Sequence, residues 1–174
     1  MSARKSKTRL DIQLSVEEGS WPQEPVLHDL CEKVLQQAAS FIARHEGQKF
    51  APEPVEISLL FTDDASIRAI NHEWRKIDKP TNVLSFPAFP LRPGDRPGPM
   101  LGDIILADDT IRREAADLEK TFDEHLTHLL VHGFLHLFGY DHMNNADAER
   151  MESLETGILA ELGLSDPYGD SSPV

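Results

Sequence analysis

The stretch HGFLHLFGYDH, residues 132–142, gathers three of the chain's eight histidines into eleven residues. Around it, Leu126, Leu129, Leu130, Val131, Phe134, Leu135 and Leu137 make the segment from Asp123 to Phe138 strongly apolar, which predicts a buried helix. On such a helix His132 and His136 lie one turn apart and about 40° apart around the axis, so both rings reach one point. Gly139 follows the last helical residue, where a left-handed cap belongs. The turn it makes lets His142 return to that point from outside the helix. Imidazoles in these surroundings need partners, because an unpaired buried polar group costs about 1–3 kcal/mol.

Three neutral nitrogen donors with no cysteine among them suit one zinc ion, or another late transition metal such as nickel, with a fourth position open. His132, His136 and His142 are therefore the candidate ligands, and an open position favours catalysis over a structural role. The spacing coincides with that of the metzincin proteases, His-Glu-x-x-His-x-x-Gly-x-x-His, except that Gly133 stands where the protease carries its general base. The helix is zincin-like in its donors and lacks the peptidase base. Gly133 costs about 1 kcal/mol relative to alanine inside a helix. Either it leaves room beside the metal for substrate, or it lets a strand pack closely. His128, one turn earlier, is a partner to a ligand or a packed core histidine. Asp141 is the natural carboxylate to orient a ligand, or an ordinary loop acid.

Working outward, LDIQLSV (10–16) alternates as a half-buried strand, and residues 26–46 follow helical spacing up to Gly47. VEISLLF (55–61) is a second strand, and Thr62 or Asp63 caps a helix through Ile67, Ile70 and Trp74. NVLSF (82–86) and LGDIILA (101–107) are two further strands, separated by a proline-rich excursion at 87–99. That excursion flanks a substrate groove or is a neutral surface insertion, the latter being the simpler expectation. A helix from Asp108 or Asp109 to about Lys120, the histidine helix, and a last helix over 146–162 complete the order βαβαββααα. The pattern predicts one α+β, or mixed α/β, domain spanning 1–174, with a mixed sheet of about four strands packed against helices. A basic N-terminal tail precedes it, and the last ten residues form a loose acidic tail.

A chain of 174 residues with 40% apolar and 27% charged side chains is of single-domain size and globular composition. No apolar run approaches the roughly 20 residues needed to span a bilayer. The basic N-terminus lacks the apolar region of a secretory signal. The single cysteine, Cys31, fits a reducing cytoplasm. A net charge of −13 argues against phosphate binding at first sight. Its distribution qualifies that: residues 65–100 hold six basic side chains against three acids, whereas eight acids and one arginine follow from Asp141 onward. A local basic face on an acidic protein is compatible with this pattern.

HGFLHLFGYDH matches at every fixed position the H-G-x-L-H-L-x-G-Y-D-H signature of the YbeY family of bacterial endoribonucleases, also called rRNA maturation factors. NHEWRKIDKPTNVLSF (71–86), LGDII (101–105) and MESLE (151–155) are similar to other segments of that family, so the resemblance covers roughly residues 55–160. Asn82 departs from it, since aspartate is the commoner residue there. The resemblance implies metal ligation by His132, His136 and His142, and a catalytically important Arg75. It implies single-stranded RNA as substrate, processing of the 3′ end of small-subunit (16S) ribosomal RNA, and ribosome quality control. Partners would be rRNA precursors and the ribosome or its proteins, in the cytoplasm, with neither DNA nor a membrane.

A divalent ion on three neutral ligands retains its full charge, so hydrolysis needs no glutamate base. Attack on phosphorus comes from water or from the RNA's own 2′-hydroxyl, and a guanidinium such as Arg75 would stabilise the more negative transition state. Arg75 reads otherwise as a surface ion pair with Glu73 or Asp78. Lys76 extends a phosphate-binding strip or is solvated surface, and Ser85 lines the cleft or is an ordinary strand hydroxyl. Two competing functions remain. A metallopeptidase is disfavoured by Gly133, and a non-catalytic ribosome-associated factor with a structural metal is disfavoured by the open coordination position.

Overall fold

The computed structural model describes residues 9–168. Its elements are β1 (Leu10–Val16), α1 (Glu24–His45), β2 (Val55–Thr62), α2 (Asp64–Arg75), β3 (Val83–Pro87), β4 (Met100–Ala107), α3 (Asp108–Asp117), α4 (Phe122–Leu137) and α5 (Asn145–Glu161). Their order is the one the hydrophobic pattern predicts. α1 starts two residues early because Pro25 sits in its first turn, where a missing N–H costs nothing. α3 stops short of Lys120: Glu119 turns the chain at φ 58°, and Thr121 caps α4 in a reciprocal capping box with Glu124.

The four strands run in the order β1-β2-β4-β3, with β1, β2 and β4 parallel and the edge strand β3 antiparallel to β4. Alternation sends Val55, Ile57, Leu59 and Phe61 of β2 to one face, where α1 and α4 cover them. α4 touches α1, α3, α5, β3 and β4, which is why it is apolar almost all round. On the opposite face Ile67 of α2 packs on Leu84, Ile105 and Ala107. α2 ends at Arg75, and β3 follows after a seven-residue loop.

Residues 88–99 contain no helix or strand, as the prolines require. They are not a neutral insertion, however. The buried Gln48 side chain donates to the Asp95 carbonyl at 2.8 Å and accepts from the Gly94 N–H at 3.2 Å, and Leu91 and Pro87 reach the cleft described below. Of the last ten residues, 165–168 are described. Thr156 Oγ1 donates to Asp166 at 3.2 Å and the Tyr168 hydroxyl donates to Glu155 at 2.5 Å, fixing 165–168 against α5. Residues 1–8, with most of the basic N-terminal tail, and 169–174 lie outside the described residues. No helix among those described is long and apolar enough to cross a membrane.

Candidate metal centre

His132 and His136 project from the last turns of α4, and His142 meets them from the loop beyond. Their donor atoms all lie within 4.8 Å of one another. His132 Nε2 and His136 Nε2 are 3.1 Å apart. A tetrahedral ion with metal–nitrogen distances of about 2.0–2.1 Å separates its donors by roughly 3.3 Å, so this pair needs only a small adjustment. Burial pushes the His136 ring below its ordinary pKa, and neighbouring His132 and His142 push it further, favouring the neutral form that a metal requires. The donor set fits a late transition metal.

Gly139 makes the return possible. It has φ 97°, its N–H bonds the His136 carbonyl at 3.0 Å, and the next N–H, of buried Tyr140, bonds the Leu135 carbonyl at 3.2 Å. Any side chain there would collide with the Leu91 carbonyl. His142 follows three residues later. Asp141 Oδ1 accepts the His142 N–H at 2.8 Å and lies 3.7 Å from His142 Nδ1, so this acid stands beside a candidate ligand.

Gly133 is where a strand packs closely. A Cβ on it would meet Ser85 Oγ at 3.0 Å and Ile104 Cγ2 at 3.2 Å. The position faces β3 and β4 within the core, leaving no space for a carboxylate base. Ser85 has both of its expected characters: it lines the cleft, and its hydroxyl donates to the Gly133 carbonyl at 3.0 Å.

The tripod opens into a cleft of about 600 Å³ whose walls include Arg75, Asn82, Ser85, Leu91 and Asp141. Arg75 is exposed and has no ion pair or side-chain hydrogen bond among the described residues. Asp78, one of its expected partners, is held instead by Arg68 at 2.8 Å. Lys76 does not join the wall; it takes the left-handed cap of α2 at φ 64°, and its ammonium bonds back to the Glu73 carbonyl at 3.3 Å. Asn82 donates to Glu114 at 2.9 Å, and the same Glu114 oxygen lies 2.8 Å from His125 Nε2. An aspartate at position 82 would set a second carboxylate against Glu114, which accounts for the amide.

His128 does not reach the tripod directly. Its Nε2 lies 2.8 Å from Glu155 Oε1, while Glu155 Oε2 lies 2.7 Å from His132 Nδ1. Glu155, fully buried on α5, was not singled out as a site residue by sequence reasoning. One signal was present: it lies four residues after Met151 and three before Ile158, so a charged side chain sits on the apolar face of its helix. Burial opposes its ionisation, yet hydrogen bonds from His128 and His132, electrostatic attraction to the His132 ring and the Tyr168 hydroxyl pull its carboxyl down to about 2.

Comparison with known proteins agrees with this architecture. A solution structure of TM1509 from Thermotoga maritima superposes with a TM-score of 0.55 at 23% identity, covering 88% of this chain and 92% of that one, which is a likeness of fold. "Endoribonuclease YbeY" of Rhizobium meliloti (strain 1021) is 68% identical over 95% of this chain and 99% of its own length. That of Sinorhizobium medicae (strain WSM419) is 68% identical over 96% and 99%. The family model described as Endoribonuclease YbeY matches residues 20–163, well beyond the segments whose motifs are legible by eye. With two-thirds identity along nearly the whole chain and the family model spanning β2, β3, β4 and the histidine tripod, this chain belongs to the endoribonuclease YbeY family.

Proposed function

We propose that the histidine tripod and Arg75 form the site at which this endoribonuclease cuts single-stranded RNA. Its substrate would be precursor small-subunit (16S) rRNA near the 3′ end, handled in the cytoplasm together with the ribosome or a ribosomal protein, and it would serve ribosome quality control. The observation that carries the reading is that three convergent imidazoles share one cleft with a guanidinium that has no ion pair among the described residues.

His132, His136 and His142 would hold one zinc ion, with nickel as the other candidate. When bound, such an ion supplies Lewis-acid polarisation of a phosphoryl oxygen or of water. Arg75 presents a planar fork of donors to the non-bridging oxygens, and its contacts strengthen as negative charge grows on phosphorus. Because it is not engaged by Asp78 or Glu73, no ion pair need be broken first. Ser85 has committed its proton to the Gly133 carbonyl, so it shapes the wall and is not the nucleophile. Gly133 leaves no room for the base of a metallopeptidase, which counts against that alternative.

The test is cleavage of a single-stranded RNA ending like precursor small-subunit rRNA, with metal quantified in each variant. Arg75→Ala should retain the metal and lose cleavage, whereas His136→Ala should lose both. Equal cutting by all three proteins would mean a contaminating nuclease, and would turn attention to a non-catalytic role at the ribosome.

A further inference from the structure

We infer that Glu155 is the positioning residue of the tripod: it fixes which nitrogen of His132 carries the proton, and so which nitrogen is bare for a metal. The inference rests on the tripod's being a metal site. Its basis is a count of donors and acceptors. An ionised carboxylate only accepts hydrogen bonds. Glu155 has no exposed surface, and among the described residues three groups bond its carboxylate: His132 Nδ1 at 2.7 Å on Oε2, with His128 Nε2 at 2.8 Å and the Tyr168 hydroxyl at 2.5 Å on Oε1. To satisfy the charge, His132 must donate from Nδ1 and His128 from Nε2. The proton of His132 is then on the ring edge facing α5, and Nε2, the atom 3.1 Å from His136 Nε2, bears a lone pair. The opposite tautomer would place an N–H in the tripod and leave a buried carboxylate oxygen facing a bare nitrogen.

The same contacts set the ring's plane. α4 carries the histidines and α5 the carboxylate, so the packing of two helices translates into the direction of one lone pair. His128 and Tyr168 orient the carboxylate in turn. A carboxylate behind a ligating imidazole also makes that imidazole a stronger donor, and losing such a partner typically weakens metal binding by about ten- to a hundredfold.

The experiment compares Glu155→Gln with Glu114→Gln. Glu114 makes the same kind of bond to another histidine of α4, His125, without touching the tripod, so it controls for loss of a His–Glu pair as such. Two quantities are measured: zinc affinity by competition with a chromophoric chelator, and the His132 tautomer from long-range ¹H–¹⁵N correlations in the metal-free protein. In wild type His132 should appear as the Nδ1–H tautomer before any metal is added. Glu155→Gln should bind zinc about ten- to a hundredfold more weakly, with Glu114→Gln unchanged. Zinc affinity in Glu155→Gln equal to wild type, or an Nε2–H tautomer for His132 in the wild-type protein, would overturn the inference. The tautomer is read on wild type alone, so a variant that fails to fold leaves the test intact. Failure of the wild type to bind zinc or nickel at all would instead defeat the metal-site reading.

Discussion

The Ser85 hydroxyl donates to the Gly133 carbonyl at 3.0 Å, and this one bond ties the edge strand to the helix that carries His132 and His136. It forms in the C-terminal half of α4, one residue beyond His132. The absence of a side chain at 133 is what lets β3 come this close.

Gly133→Ala should therefore destabilise the protein despite improving helix propensity by about 1 kcal/mol. The added methyl meets Ser85 Oγ and Ile104 Cγ2 at 3.0 and 3.2 Å. Neither neighbour can yield easily, since Ser85 is held by its hydrogen bond and Ile104 is fully buried on β4. Overpacking of this kind costs about 1–3 kcal/mol, which outweighs the propensity gain. A lower midpoint of urea unfolding is the expected result; a raised midpoint would mean that the close contact is not what demands glycine.

Gly139→Ala and Gly139→Asn separate two causes at the helix end. Alanine pays for the left-handed backbone, about 1–2 kcal/mol, while asparagine tolerates that conformation. Both carry a Cβ that runs into the Leu91 carbonyl. If the collision dominates, both variants should lose stability and bind metal poorly, because the turn that returns His142 is displaced. Full rescue by asparagine in thermal unfolding and chelator competition would assign the requirement to backbone conformation alone.

The parts of this fold that were legible in the sequence are those written in local periodicity. Alternation marked the strands, and the apolar wrap of 123–138 with its spacing of four and then a glycine turn marked the tripod. The parts that were not legible depend on distant partners. Gly133 had two readings until β3 was seen against it. Glu155 acts on His132 across 23 residues and a second helix. The start of α4 was placed one residue late although Thr121 and Glu124 already spelled a capping box. The loop at 87–99 read as an insertion because its anchor, Gln48, lies 46 residues before the glycine it holds.

His125 makes stability depend on pH with a definite sign. Burial lowers its pKa first, and His128 and Lys120 lower it further, against the bond and charge of Glu114, which raise it. Its Nε2 faces Glu114 while its buried Nδ1 has no partner among the described residues, so protonation would strand an N–H in the core. Because the folded value lies below the ordinary 6.5, the unfolded chain binds more protons between the two values. This contribution is fully present above about pH 6.5 and is lost as pH falls toward the depressed folded value. In the metal-free protein, the fall in unfolding midpoint from pH 7.5 to 5.5 should be smaller for His125→Gln than for wild type. Equal falls would show that His125 does not contribute.

Gln48→Ala tests whether the 87–99 loop is a wall of the cleft or only its scaffold. The buried amide accepts from the Gly94 N–H at 3.2 Å and donates to the Asp95 and Lys49 carbonyls at 2.8 and 3.0 Å. Removing it leaves those loop groups without their partner, at about 0.5–1.5 kcal/mol for each bond. The damage should propagate along a short path, because Leu91 lines the cleft and its carbonyl abuts Gly139. A looser wall weakens substrate binding without touching the ligands or Arg75. The expected signature is a severalfold rise in KM for single-stranded RNA, with kcat and bound metal close to wild type. A fall in stability with KM unchanged would reduce the loop to scaffold. A fall in metal content would mean instead that the loop holds Gly139, and through it His142, in place.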